Sequence, residues 1–214
     1  MIQRGDTLKK QAYMLIRDKI MKHEVGFGDR LNIAELAREF GISNSPIREA
    51  LSLLQQDGFV ENTPGGGFRV LALNKDAFEM LEQLIHILLI GCYSECILTG
   101  REDALANLLD ERLRAQRAAY GDENILDYID VAIDFDLAFV DACENPLFKD
   151  LYATQFELLK LYVINEYATE EGNQEKNLKE HEAIAAAVRK KDAKEVTDLI
   201  LKHYNKELQI FEEN

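Results

Sequence analysis

Residues 31–70 read LNIAELAREFGISNSPIREALSLLQQDGFVENTPGGGFRV: two short helical patterns, a glycine between them, and two brief apolar runs around a glycine-rich tip. In the first pattern Ile33, Leu36, Ala37 and Phe40 recur at helical spacing, with Glu35, Arg38 and Glu39 on the other side. Gly41 stops that helix, because glycine accepts the left-handed conformation that follows many helices. Ser43 or Ser45 can cap the next helix, and Pro46 fits a first turn, where its missing N–H leaves no bond unmade. Ile47, Ala50, Leu51 and Leu54 form the second apolar stripe, and Gly58 ends it. Residues 59–62 and 68–71 then predict a hairpin whose tip is Thr63-Pro64-Gly65-Gly66-Gly67.

Those stripes leave Ser43, Asn44, Ser45, Arg48, Ser52 and Gln55 on or near the outward face of the second helix. Hydroxyls and helix N–H groups suit phosphates, Arg pairs with guanine, and Asn or Gln with adenine, so this helix is built to lie in a major groove. A glycine-rich hairpin tip can approach a phosphodiester backbone without a side-chain clash. The order helix, turn, helix, hairpin is that of a winged helix-turn-helix, and double-stranded DNA is its expected partner. A short helix, Gly, short helix also occurs in proteins that bind no DNA; the hairpin and the Ser-x-x-Pro-x-Arg-Glu-Ala-Leu segment tip the reading.

The charge is divided accordingly. Residues 1–75 carry 11 Lys/Arg against 9 Asp/Glu, a net of +2, whereas the remainder carries 14 against 30, a net of −16; together they make the chain's −14. Only the first part can sit on a phosphate backbone. Its positive charge is slight, which predicts modest affinity per subunit and dependence on a homodimer. With 47% hydrophobic and 30% charged residues in 214, the composition is that of a folded protein with room for one large or two modest domains. No N-terminal stretch pairs a charged start with an apolar core, and the apolar run 84–90 is too short for a membrane span, so a cytoplasmic protein is expected. Cys92, Cys96 and Cys143 are odd in number and lack Cys-x-x-Cys spacing, which fits a reducing compartment. Cys92 and Cys96 share a helix face, as core thiols or as a thiol sensor.

The N-terminal stretch resembles the GntR family of bacterial transcription regulators. The similarity lies in Gly28-Asp29-Arg30-Leu31, Glu35-Leu36-Ala37, Gly41-Ile42-Ser43, Pro46-Ile47-Arg48-Glu49-Ala50-Leu51, Leu54, Asp57-Gly58-Phe59-Val60 and the wing glycines. The resemblance implies Arg30, Arg38, Ser43, Ser45, Arg48 and Gly66 as DNA contacts, with Asn44 beside them. Phe27 stands where the family usually has Pro, and Asn44 where it usually has Arg. Losing that arginine weakens a phosphate or guanine contact and alters the preferred operator without disturbing the fold.

Strand alternation ends near Ala72-Leu73-Asn74-Lys75, dividing a domain over residues 1–73 from another over 76–214. Before the motif, residues 7–22 predict a helix with Leu8, Ala12, Leu15, Ile16 and Lys19 along one side. Beyond the boundary the periodicity predicts helices over about 76–98, 102–120, 123–144, 147–168, 174–190 and 193–211, broken by turn and cap residues. The fold class is therefore mainly α: a winged helix-turn-helix followed by an all-helical antiparallel bundle of about six helices. Asp136, His181 and His203 each fall in the middle of a different helix. Two imidazoles and a carboxylate suit a divalent metal, Zn²⁺, Ni²⁺, Mn²⁺ or Fe²⁺, with positions left for water or an effector. Lone helical histidines are also commonly packed or solvated, and spacing alone leaves both readings open.

Residues 76–214 resemble the all-helical ligand-binding domain of the FadR subfamily, called FCD. The similarity lies in Phe135-Asp136, Ala142-Cys143-Glu144-Asn145-Pro146-Leu147, Glu180-His181-Glu182-Ala183-Ile184, and Asp192-Ala193 through His203. Metal-binding members use an Asp, a His four residues later, and two further His. Here Ala132 and Asp136 occupy the first two positions, and His181 and His203 the last two. The resemblance implies a small-molecule effector, often an organic acid. The basic residue common on the first bundle helix falls at Leu84 or a neighbouring aliphatic, with His86 the only basic side chain nearby. Arg112, Arg114 and Arg117 are candidates to replace it, although Asp110 and Glu111 beside them suggest a solvated face. No Gly-rich phosphate loop, nucleophile elbow or His-Glu-x-x-His run is present, which speaks against an enzyme, including a metal hydrolase built on Asp136, His181 and His203. The expectation is a ligand-responsive regulator, a repressor reading an inverted repeat as a dimer. The alternative is a scaffold that has lost DNA binding.

Overall fold

The computed structural model describes residues 7–72, 74–121, 125–169 and 173–205. The chain divides into two compact units, Met1–Asn74 and Lys75–Asn214.

The first unit runs α1 (Leu8–Met21), β1 (Arg30–Leu31), α2 (Ile33–Phe40), α3 (Asn44–Gln56), β2 (Val60–Asn62) and β3 (Phe68–Val70). Its core is the apolar stripe of α3, with Ile47, Ala50, Leu51 and Leu54 fully buried against α1 and α2. The buried side of α1 runs through Ala12, Ile16, Ile20 and Met21. Leu8, expected on that side, is 45% exposed. The Tyr13 hydroxyl donates to Asp57 Oδ2 at 2.7 Å, tying α1 to the C-cap of α3. Burial first, then that bond, pushes the phenol up to about 12. Asn32 caps α2 by accepting from the N–H groups of Ala34 and Glu35, and Gly41 closes it at φ 69°. Ser43 holds the N-cap position of α3 but makes no side-chain capping bond.

β2 and β3 pair antiparallel with Val60 opposite Val70, Glu61 opposite Arg69 and Asn62 opposite Phe68. A third strand, β1, adds to the free edge of β3, giving the order β1-β3-β2. At two residues it is too short to show any alternation in the sequence. Gly65, Gly66 and Gly67 all have positive φ, from 87° to 114°. The tip therefore needs three successive residues without a Cβ penalty.

The second unit is helical throughout its described residues: α4 (Lys75–Thr99), α5 (Glu102–Ala119), α6 (Ile125–Ala142), α7 (Pro146–Thr169), α8 (Asn173–Lys190) and α9 (Ala193–Asn205). The expected extension of the last helix to residue 211 lies outside the described residues. α6 packs on α4, α5, α7 and α8, and α9 packs on α4 and α8. The largest fully buried side chains here are Phe78, Tyr93, Tyr128, Phe135 and Phe139.

Among the described residues α4 alone is long and apolar enough to cross a membrane, judged by length and composition. The run 84–90 understates it, because the outer positions of α4 are apolar as well as the inner ones. Its inner face buries Phe78, Leu81, Glu82, Ile85, Leu88, Leu89, Cys92, Tyr93 and Cys96, and it packs on α6, α7 and α9 as a bundle helix does. All three cysteines are buried and free. Cys143 Sγ donates to the Cys92 carbonyl at 3.3 Å. Burial pushes the Cys96 thiol up to about 12 and Cys92 higher still, so both are held as inert thiols rather than thiolates.

Candidate nucleic-acid interface and metal centre

On the winged unit the structure leaves Arg30, Arg38, Ser43, Asn44, Ser45, Arg48 and Gly66 all exposed. Among the described residues none of the three guanidinium groups enters an ion pair. Other basic side chains of the unit do: Lys19 pairs with Glu24 and Glu39, and Arg69 with Glu61. Ser43, Asn44 and Ser45 stand at the start of α3, where backbone N–H groups lack helical acceptors and attract anions. Arg48 follows one turn later, and the Ser52 hydroxyl is turned back onto the Arg48 carbonyl at 2.9 Å. Arg38 lies in the last turn of α2, and Arg30 on β1 pairs opposite Arg69 of β3. At the wing tip Thr63 Oγ1 donates to the Gly66 carbonyl at 3.1 Å, and Gly66 N–H donates to the Thr63 carbonyl at 3.0 Å. The loop shape is thus held internally while its glycines face outward.

In the helical unit, Asp136 on α6, His181 on α8 and His203 on α9 converge. Each is buried, and one potential ligand atom from each lies within 4.8 Å of the other two. Buried polar groups are costly without partners, and these have them. His181 Nδ1 lies 2.9 Å from Gln116 Oε1. The Gln116 amide in turn donates to Asn177 Oδ1 at 2.7 Å and to the Tyr128 hydroxyl at 3.0 Å, and Tyr128 donates to the Gln174 carbonyl. This chain fixes the orientation of the Gln116 amide, so His181 carries its proton on Nδ1 and its lone pair on Nε2. His203 Nδ1 lies 2.8 Å from Glu180 Oε2, which sets the same tautomer. The Tyr204 hydroxyl donates to Asp136 Oδ2 at 2.8 Å.

Burial, and then the neighbouring His203, hold the His181 pKa well below the ordinary histidine value. Its ring stacks on Phe135 at 4.1 Å between centroids and nearly parallel, at 10°. A neutral imidazole with Nδ1–H bound to an acceptor is the form that ligates a metal through Nε2, and such outer partners are characteristic of metal sites. The residues present fit a divalent ion as a two-His, one-Asp set.

The adjoining pocket is lined by these three residues with Ala132, Ile133, Leu159, Val163, Asn177 and Tyr204. Ala132 offers no ligand. Asp134 points elsewhere, bound to Arg112 at 2.9 Å. None of the arginines considered above lines the cavity: Arg112 is held by Asp134 and Asp141, and Arg117 by Glu182. Leu84 is 40% exposed on the outer side of α4 and does not reach the site. His86 comes only as near as a 6.4 Å ring contact with Tyr204. Sequence reasoning missed the orienting shell of Gln116, Asn177 and Tyr204. Glu180 and Tyr204 each adjoin one of the site's histidines in sequence, but on a helix adjacent residues face different ways, so adjacency carries no signal.

An exposed arginine-bearing winged helix-turn-helix with a separate helical, ligand-type unit defines a DNA-binding regulator, not an enzyme. Residues 8–70 match the family described as bacterial regulatory proteins, gntR family, and residues 83–206 match the FCD domain. The chain belongs to the GntR family of bacterial transcriptional regulators, in the group with a C-terminal FCD domain. It is 28% identical over 197 residues to the uncharacterized HTH-type transcriptional regulator YdhC of Bacillus subtilis (strain 168), covering 91% of this chain and 87% of that protein. A putative GntR regulator from Rhodococcus sp. RHA1 shares the fold at a TM-score of 0.75 and 14% identity, over 94% of this chain and 96% of that one. Lar, which controls expression of the Listeria monocytogenes agr system, does so at 0.67 and 24%, over 97% of each chain.

Proposed function

We propose that this regulator is a cytoplasmic homodimeric repressor that binds an inverted-repeat operator and leaves it, or tightens on it, when an effector occupies the helical unit. The observation that carries this reading is the set of three exposed arginines on the winged unit, Arg30, Arg38 and Arg48, none of which enters an ion pair among the described residues. Arg48 and Asn44 read base edges from the major groove. Arg30, Arg38, Ser43 and Ser45 hold phosphates, and Gly66 brings the wing backbone against the sugar-phosphate chain. The arithmetic of charge favours two subunits: the N-terminal 75 residues have a net charge of only +2, so contacts from two copies supply the affinity.

Asp136, His181 and His203 are assigned as ligands to a divalent metal, Zn²⁺, Ni²⁺ or Mn²⁺. When bound, the ion supplies positive charge and open coordination positions to the cavity. No Lys or Arg is among the side chains lining it, so recognition of an organic acid there depends on that ion. Ile133, Leu159 and Val163 accept the apolar part of the effector. Control follows from a difference in effector affinity between the DNA-competent and incompetent states, since a ligand that binds both equally shifts nothing.

The test is a fluorescence titration of the full chain against the DNA upstream of its own gene. Specific binding should weaken steeply with salt, because each phosphate contact releases a counterion. A folded protein showing no specific retardation at low salt overturns the reading. For the helical unit, the melting temperature should rise on adding Zn²⁺ or Ni²⁺, and a small carboxylic acid should raise it further only with the metal present.

A further inference from the structure

His203 and Tyr204 are neighbours on α9, yet both line the same pocket. Side chains one position apart on a helix point about 100° from each other, so one of the two would ordinarily face away. Tyr204 reaches the site because its side chain is long. Its ring packs edge-on against the His203 ring, with centroids 4.9 Å apart and planes at 84°. Its hydroxyl crosses to α6, where it donates to Asp136 Oδ2 at 2.8 Å. At 2% exposed, Tyr204 is as deep as the histidines. A phenylalanine would fill the same space and meet the same ring. What the hydroxyl adds is a fixed bond to one oxygen of Asp136.

That bond makes the two carboxylate oxygens unequal. Swinging Oδ2 onto an ion would break a buried hydrogen bond, at a cost of about tenfold in an equilibrium constant. Asp136 is thereby set to ligate through Oδ1. The histidines are restricted in the same way, each giving Nε2 because Gln116 and Glu180 hold Nδ1. The set then offers two nitrogens and one oxygen. Ala132, one turn earlier on α6, lines the pocket but has no oxygen to add. Imidazole suits Zn²⁺ and Ni²⁺, whereas Mn²⁺ favours carboxylate and water oxygens. Of these ions Mn²⁺ gains most from a carboxylate that gives both oxygens, so a bond that withholds one of them works against it.

We propose that Tyr204 selects the ion: by holding Oδ2 it keeps Asp136 a one-oxygen ligand and biases the site toward Zn²⁺ and Ni²⁺ against Mn²⁺. Tyr204 is a positioning residue, since it acts through Asp136. This rests on the metal assignment above and narrows it. Zn²⁺ binds above Mn²⁺ at nitrogen and oxygen sites generally, so the preference itself is uninformative. Its change on removing the hydroxyl is what carries the role of Tyr204.

Titration of the chelator-stripped full chain with Zn²⁺ and with Mn²⁺ tests this, with circular dichroism verifying the fold of Tyr204→Phe. The variant should bind Zn²⁺ about tenfold more weakly, as loss of an outer partner does. Mn²⁺ should hold or tighten, so that the preference for Zn²⁺ narrows by at least about tenfold. Infrared difference spectra, Zn²⁺-loaded minus stripped, read the carboxylate directly. Wild type should show the wide band splitting of a one-oxygen ligand, and the variant the narrow splitting of a two-oxygen one. An equal loss for both ions, or an unchanged preference, overturns the proposal and leaves Tyr204 a packing residue. A narrow splitting already in wild type overturns it as well, whether or not the variant folds. A wild type that takes up neither ion overturns the metal assignment and this inference with it, while the DNA-binding regulator stands.

Discussion

The winged unit carries its candidate contact groups outside, and the helical unit carries its candidate ligands inside. Arg30, Arg38, Arg48 and the serines around Asn44 are exposed, take little part in the packing, and all come from a stretch of fewer than 40 residues. Asp136, His181 and His203 are no more than 4% exposed and come from three helices. Surface contacts add affinity without supporting the fold, so they are free to change with the operator. Buried polar groups must be satisfied by the fold itself, and each of these three is held by a second side chain: Tyr204, Gln116 and Glu180. In one unit, then, function and stability are separable; in the other they share the same bonds.

The largest effect that sharpens this contrast is His203→Gln. Removing one of the three proposed ligands should lower Zn²⁺ or Ni²⁺ affinity by more than about a hundredfold, since disturbing even an outer partner costs about 10- to 100-fold. Isothermal titration against chelator-stripped protein measures it. Unchanged uptake would remove the site. Next is Arg48→Ala, which should cost about 1–3 kcal/mol of operator affinity and relax preference at one base pair. Its unfolding midpoint should stay within about 0.5 kcal/mol of wild type in free-energy terms, as for a surface change that touches no partner. If Arg48→Ala instead destabilises the winged unit while DNA affinity holds, the separation of function from stability fails there.

The two units also differed in how far they were legible. In the winged unit the code is local: Gly41 closes α2, Ile47, Ala50, Leu51 and Leu54 are buried, and the glycines form the tip, all readable by spacing. What escaped was β1, whose partner Phe68-Arg69 is nearly 40 residues away, and the Asn32 cap of α2. In the helical unit, periodicity gave the six helices to within a residue or two at most ends. The convergence of Asp136, His181 and His203 was legible as three ligand types centred on three helices. Their orienting partners were not, because Gln116 reaches His181 across 65 positions of sequence and nothing in a helical repeat marks a glutamine as buried. The outward position of Leu84 is hidden in the sequence for a related reason. A helix apolar on both faces hides which face is the core.

A pH titration tests the inner half of the contrast. His181 is held neutral by burial, so its folded pKa lies below the unfolded value near 6.5. Above that value both states are neutral and the stability is fully present. As the pH falls below it, the unfolded chain takes up a proton that the folded one refuses. Stability of metal-stripped protein should then drop by at most about 1.4 kcal/mol per pH unit from this group. His181→Gln should remove that part of the slope, read from denaturant midpoints between pH 7 and 5. An identical slope in the variant would mean that His181 takes up its proton in the folded state as well.

The smallest effect tests whether the outer half is as separable as claimed. Gly66 has φ 87° and open space where a Cβ would stand, so Gly66→Ala meets no clash and costs only the left-handed conformation, about 1–2 kcal/mol. The tip's own bonds, Thr63 N–H to the Gly67 carbonyl and Thr63 Oγ1 to the Gly66 carbonyl, resist its relaxing. Two outcomes are distinguishable by comparing thermal midpoint with operator affinity. A wing that serves only as a turn loses stability and keeps its affinity for DNA. A wing whose backbone lies against the phosphodiester chain loses affinity as well, by several-fold beyond what the shift in folding explains, because the added methyl stands where the phosphate must come. The second outcome is expected, and it would make Gly66 the one residue of the winged unit in which conformation and recognition cannot be pulled apart.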